Sequence, residues 1–269
     1  MTAAVSHEAR PFIRVEQHMN LPFSLSIRPA HGLAAAPEDW SLPHAEEIQA
    51  ATDRAFDIIA AADRTFSLWK PDSDVSRLAR FEATLAELDP QVEEVWQLCE
   101  TAEELTDGLF TAFSRNDSGS DPRKQEAIFD PTGLVKGWAL EKAAAALSPL
   151  LDLGLAYCLN GGGDIIAAGA SAQAPWRIGI EDCLNPTAIF STVLVRDGAV
   201  ATSGTYARGR HIYSPALGGQ TAWTGALTVC GPSVMWADVL ATALFANPGS
   251  HQQILSRFPG YEVTQDRRF

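Results

Sequence analysis

Four short constellations in this sequence carry residue types that could do chemistry. The first is Asn160-Gly161-Gly162-Gly163-Asp164. Consecutive glycines tolerate positive φ and let backbone N–H groups come close to an anion. No helix-opening Rossmann pattern and no GK[ST] ending accompanies them, so a tight turn between strands explains the run equally well. The second is Asp238 and Thr242 in WADVLATAL. At i,i+4 they share one helix face, and a carboxylate on an apolar helix is costly unless paired or bound to a cation. A carboxylate with a hydroxyl is hard-oxygen chemistry that suits Mg²⁺. The third is Asp130-Pro-Thr132-Gly-Leu-Val135-Lys136-Gly137-Trp138. A lysine at the start of a helix can meet a phosphate, aided by the helix N-terminus. The fourth is Ala201-Thr202-Ser203-Gly204, followed by His211-Ile-Tyr-Ser214-Pro215. Ser203 lacks the GxSxG elbow of a serine hydrolase, since Ala201 stands where its first glycine would be.

Positioning these groups requires a folded scaffold, and the chain has the material for one. Its 269 residues are 46% hydrophobic and 20% charged, which excludes a disordered or fibrous protein. The net charge of −13 argues against nucleic acid or an anionic membrane as main partner. It also means that a phosphate-bearing ligand needs a local source of positive charge. Cys99, Cys158, Cys183 and Cys230 form no CxxC pair, so four buried, reduced thiols are expected. The opening MTAAVSHEARPFIRVEQHMN has no basic segment followed by an apolar run, and no stretch approaches the ~18–20 apolar residues of a membrane span. A soluble, cytoplasmic protein is the expectation.

Periodicity predicts a strand at 23–27, a Pro- and Ala-rich loop over 29–43, and a helix whose apolar face runs from Ile48 to Phe66. Asp89 before Pro90 marks a helix start, and Gly108 its stop. The stretch 114–126 reads as an exposed loop. A helix is expected over 136–147. Strands follow at 155–159, 164–168, 176–181, 189–196 and 225–230, with turns at 160–163, 185–186 and 197–198. Ser233 caps a last helix running to about Phe245. Helices early and strands late argue for an α+β fold.

The order of these signals resembles the ApbE family, the FAD:protein FMN transferases. The matching segments are FSLWKPDSDVSRLAR, TDGLF, FDPTGLVKGWALEKA, LNGGGDIIAAG, WRIGIEDC with AVATSG, HIYSP and WADVLATALF, spanning about residues 19–245. The resemblance implies one α+β domain over 1–269, related to the T-fold, with antiparallel sheets packed against helices and FAD between subdomains. It implies Mg²⁺ held by Asp238, Thr242 and the main-chain carbonyl of Val135. It assigns cofactor contacts to Met19, Trp69, Leu109, Phe110, Thr111, Thr132, Lys136 and Trp138. Asn160, Gly162, Gly163, Asp164, Thr202 and Ser203 complete that set.

The chain departs from the family pattern in three places. Thr111 stands where the family has an aspartate, Ser214 replaces the aspartate three residues after His211, and MNLPF replaces MGTxF at the entry strand. The implied reaction is attack by a Thr or Ser hydroxyl of an acceptor flavoprotein on the FMN-side phosphorus of FAD, with AMP leaving and His211 as base. A Mg²⁺-dependent FAD pyrophosphatase giving FMN and AMP, and a non-catalytic flavin-binding protein, stay open as alternatives.

Overall fold

The computed structural model describes residues 7–8, 10–33, 35–36, 42–115, 127–205, 213–214, 218–221 and 223–269. Its frame is a seven-stranded sheet made of β1 (Phe12–His18), β2 (Leu21–Pro29), β3 (Leu155–Gly161), β4 (Asp164–Ala168), β7 (Gly198–Gly204), β8 (Gly225–Gly231) and β9 (Glu262–Arg268). The order across the sheet is β9-β8-β7-β4-β3-β2-β1, and every neighbouring pair is antiparallel. Sequence order follows spatial order, so the sheet is a meander carrying insertions. Helices α1 (Ala45–Phe66), α2 (Asp74–Ala79), α3 (Pro90–Leu105) and α4 (Thr132–Leu147) lie between β2 and β3 in the chain. The hairpin of β5 (Trp176–Asp182) and β6 (Asn185–Val195) lies between β4 and β7, and α5 (Val234–Ala246) and α6 (His251–Leu255) between β8 and β9.

Strand alternation sends the two faces of the sheet to different partners. On β4 and β7, Ile166, Ala199 and Ala201 join the main core with α4 and α5. Their neighbours Ala167 and Val200 instead pack with Ile178, Ile180 and Val195 of the β5–β6 hairpin. Helices therefore cover one face and the hairpin part of the other. Eleven of the 13 residues of α5 are buried, which makes it the central helix. It packs on β7, β8 and α4, and α4 packs in turn on α1 and β3. The side chain of Ser233 accepts the Trp236 N–H and that of Asp89 the Gln91 N–H, the caps expected from their residue types.

Several expectations are corrected. The fourth helix begins at Thr132, four residues before Lys136, so the lysine sits one turn inside it. Strands β1, β7 and β9 have no counterpart in the periodicity. GAVATSG is built of small residues, and EVTQDRR and FIRVEQH alternate only weakly because each is an edge strand. Asn185 and Pro186 begin β6, and the reversal falls instead at Cys183–Leu184. Phe113–Arg115 pairs with Ala127–Phe129, so the loop expected from Ser114 starts as a strand; 116–126 lie outside the described residues. All four cysteines are free, but Cys158 and Cys230 are only half-buried.

Candidate functional site

The centre of the site is a close approach between two helices. At Gly137 of α4 an added Cβ would stand 2.7 Å from the Cα of Met235 on α5. Only a glycine lets the helices meet backbone to backbone there. That contact sets Lys136, its chain neighbour, against Asp238 one turn along α5. The Lys136 Nζ lies 3.0 Å from Asp238 Oδ2 and also contacts Asp164 Oδ2 at the start of β4. Asp164 is 2% exposed and Asp238 6%. Both Oδ2 atoms are buried and receive no hydrogen bond of ordinary geometry, so the ammonium compensates them through charge. The three groups carry formal charges of +1, −1 and −1, leaving a net negative centre.

Hydroxyls surround it. Ser203 Oγ on β7 and Thr242 Oγ1 on α5 are 2.8 Å apart. Thr202 Oγ1 lies 2.9 Å from Thr228 Oγ1, and the Thr202 N–H donates to Asp164 Oδ1 at 3.2 Å. Lys136, Asp238, Thr242, Thr202 and Ser203 line a cavity of about 750 Å³, a size that suits a nucleotide-scale ligand. Apolar side chains also line it, Ile165 and Val200 from the sheet and Ile178 and Ile180 from the hairpin, the last beside Glu181. None of these four was singled out from the sequence, although the alternation of WRIGIED already places Ile178 and Ile180 on one face. Pro22 and Ser24 of β2 also line the cavity without having left any local signal.

Most expected site residues come together here. Leu109, Phe110, Thr111, Thr132, Asn160, Gly162 and Gly163 line the same cavity as the Lys136 centre. Asp164 stands just behind it, on Lys136. The rest do not line it. Trp138 is buried against Phe66, with Nε1–H donating to Glu94 Oε1 at 3.1 Å, because its position on α4 faces α1 and α3. Trp69 is 85% exposed on the loop after α1. Met19 forms, with Asn20, the two-residue turn between β1 and β2, and packs on the main core. The side chain of Val135 is buried in the core; its carbonyl sits inside a regular helix and has one lone pair left for a ligand. His211 lies outside the described residues, and Ser214 is placed only by its backbone pairing with Gly219.

The glycine turn is corrected in its chemistry. Its amides are not open to an anion: the Gly162 N–H donates to Pro22 O and the Gly163 N–H to Asn160 Oδ1. Gly162 and Gly163 have φ of +61° and +104°, so glycine serves the backbone conformation. Among the described residues that line the cavity, Lys136 is the one that carries positive charge.

The donor set fits a hard divalent cation. Two buried carboxylates converge on Lys136 in a net negative centre, the Thr242 hydroxyl lies one turn along α5 from Asp238, and oxygen is the ligand such cations take. Among the described residues no three His, Cys, Asp or Glu side chains cluster, so ligand or water oxygens would complete the shell.

The sequence model of the ApbE family matches residues 19–116 and 111–264. The chain belongs to the ApbE family. Solved ApbE structures share its fold. The ApbE protein of Thermotoga maritima is 19% identical, with 94% of this chain and 93% of that one covered at a TM-score of 0.71. The flavin transferase ApbE of Vibrio cholerae is 18% identical, with 97% of each covered at 0.65. The apo flavinyl transferase ApbE of Pseudomonas stutzeri is 20% identical, with 96% and 95% covered at 0.65. At such identities the likeness is one of fold. A comparison with curated proteins found no match. Among the described residues no helix is long and apolar enough to cross a membrane.

Proposed function

We propose that this ApbE chain is a Mg²⁺-dependent FAD:protein FMN transferase. A Thr or Ser hydroxyl of an acceptor flavoprotein attacks the FMN-side phosphorus of FAD. The new O–P bond replaces the bond to the bridging oxygen, AMP leaves with that oxygen, and the hydroxyl proton passes to a base. The observation that carries this reading is the buried Lys136–Asp164–Asp238 centre on a cavity that Ile165, Ile178, Ile180 and Val200 also line. A ligand with a flat ring system and a pyrophosphate has those two needs.

Asp238 and Thr242, with the Val135 carbonyl, would hold Mg²⁺, which when bound supplies charge to offset that developing on the transferring phosphoryl group. Ser203 fixes the Thr242 hydroxyl. Thr202 fixes Asp164 through its backbone N–H. Ile178 and Ile180 offer a dry surface to a ring. His211 is the base in this reading, with Ser214 unable to supply the negative charge that would favour an imidazolium. Thr111, in place of an acid, holds its own turn by accepting the Phe113 N–H. Four free thiols fit a reducing compartment, the cytoplasm in this reading.

The test is product analysis after incubation with FAD, Mg²⁺ and a flavoprotein domain bearing a Thr/Ser acceptor site. Covalent flavin on the acceptor with an equal amount of AMP is the expected result. Free FMN and AMP alone would assign a pyrophosphatase, and unchanged FAD would overturn catalysis and leave a binding protein.

A further inference from the structure

We propose that Lys136 is an exchangeable counter-ion. Without a divalent cation its ammonium neutralises Asp164 and Asp238; a cation arriving at Asp238 displaces it into the cavity, where it becomes a ligand for nucleotide phosphate oxygens. This rests on the Mg²⁺ reading of the site given above.

Of the three charges at the centre, two are fixed and one can move. Asp164 is anchored through Oδ1 by the Thr202 N–H, so its carboxylate stays in place if the lysine departs. Asp238 rides on α5, whose position against α4 is set by the Gly137–Met235 contact. Lys136 carries its charge on a flexible four-carbon stem. That side chain is 14% exposed and lines the cavity, whereas the carboxylates it touches are 2% and 9% exposed. The head group therefore has an open direction in which to swing, Asp164 stands behind the lining, and Asp238 borders the cavity from which a cation would arrive.

Exchange follows from electrostatics. The Lys136 Nζ sits 3.0 Å from Asp238 Oδ2, the oxygen a cation would need. An ammonium and a dication cannot share one oxygen at such distances without strong repulsion, and the dication is the stronger partner for the Asp238 carboxylate. After exchange the dication and the two carboxylates sum to zero, and the freed ammonium beside them turns the site from net negative to net positive. The same event that loads the metal thus creates the phosphate site, and cation and nucleotide bind with positive coupling. In the metal-free state the buried carboxylates still have a partner, so the empty protein keeps its fold.

The experiment uses Mg²⁺ alone, without FAD. Lys136→Met removes the ammonium and keeps the stem. Without divalent cation the variant is expected to melt roughly 5 °C below wild type, and saturating Mg²⁺ should close that gap. Titration calorimetry should show Mg²⁺ binding the variant about tenfold more tightly, because nothing must be displaced. A second measurement needs no variant: mild acetylation of the wild type, mapped by mass spectrometry, should modify Lys136 faster in Mg²⁺ while other lysines keep their rates. Equal Mg²⁺ affinity in both proteins overturns the exchange and leaves the metal reading standing. Lys136 reactivity unchanged or lowered by bound Mg²⁺ does the same, and decides alone if the variant does not fold. No Mg²⁺ binding to wild type, matching an Asp238→Asn control, overturns the metal reading and the exchange together.

Discussion

Gly137 and Met235 touch backbone to backbone, and this contact brings Lys136 of one helix to Asp238 of the other. A methyl group at Gly137 has no room, since its neighbour is main chain and cannot rotate away. Gly137→Ala is therefore expected to cost about 1–3 kcal/mol in chemical denaturation, although alanine is the better helix former. Flavin transfer should fall with it, because the helices separate at the point that aligns the charges. A variant as stable as wild type would show that the helices can shift without loss.

Asp238→Asn keeps the shape of the side chain and removes one charge. Transfer in Mg²⁺ should drop by at least ~10²-fold while the protein stays folded, because Lys136 retains Asp164. Thr242→Val should be milder for activity but leaves Ser203 Oγ without its partner, at about 1 kcal/mol. Single-turnover rates and melting curves on the same preparations separate the two effects. An Asn variant with wild-type Mg²⁺ dependence would move the metal elsewhere.

Gly162 should matter for stability before it matters for FAD. Its φ is +61°, and a Cβ there would lie 2.7 Å from a Leu21 methyl carbon. Gly162→Val is expected to lower stability by about 1–3 kcal/mol without ligand. FAD affinity per folded molecule should change little, since the amide is already held by Pro22 O. A fully stable variant with weak FAD binding would contradict this and return that amide to the ligand.

His211 and Ser214 can be tested together. If His211 is the base, His211→Ala should slow transfer by ~10²-fold or more, and Ser214→Asp should speed it near neutral pH by favouring the imidazolium. Equal single-turnover rates for wild type and both variants across pH would leave the chemistry to Asp238 and its cation.

Burial pushes the Cys99 and Cys158 thiols up to about 12. A raised pKa lowers the thiolate fraction, and the thiolate is the reactive form. Neither should be labelled by a thiol reagent at pH 8 in the native protein, and all four cysteines should be labelled in denaturant. Fast native labelling of Cys99 would show local opening of α3.

Local rules were enough for the parts of this protein whose partners are close in sequence. Asp89 before Pro90 and Ser233 before α5 set their helix starts, because a cap acts within one turn. Ile48 to Phe66 declared the buried face of α1 by spacing alone. Asp238 and Thr242 share a face through the helical repeat, and the order of the motifs pointed to the ApbE family. Three-dimensional packing decided the rest. Trp138 lies on a helix with apolar residues on most sides, so no period tells which way its indole points; contact with Phe66 and Glu94 settles it. The amides of the glycine turn were free on paper and are taken by Pro22 and Asn160 in the fold. Above all, Lys136, Asp164 and Asp238 belong to three elements far apart in the chain. Spacing encodes which face of an element a side chain shares, but a helix crossing fixes what that face meets, and here the crossing depends on the one residue with no side chain to hold it off.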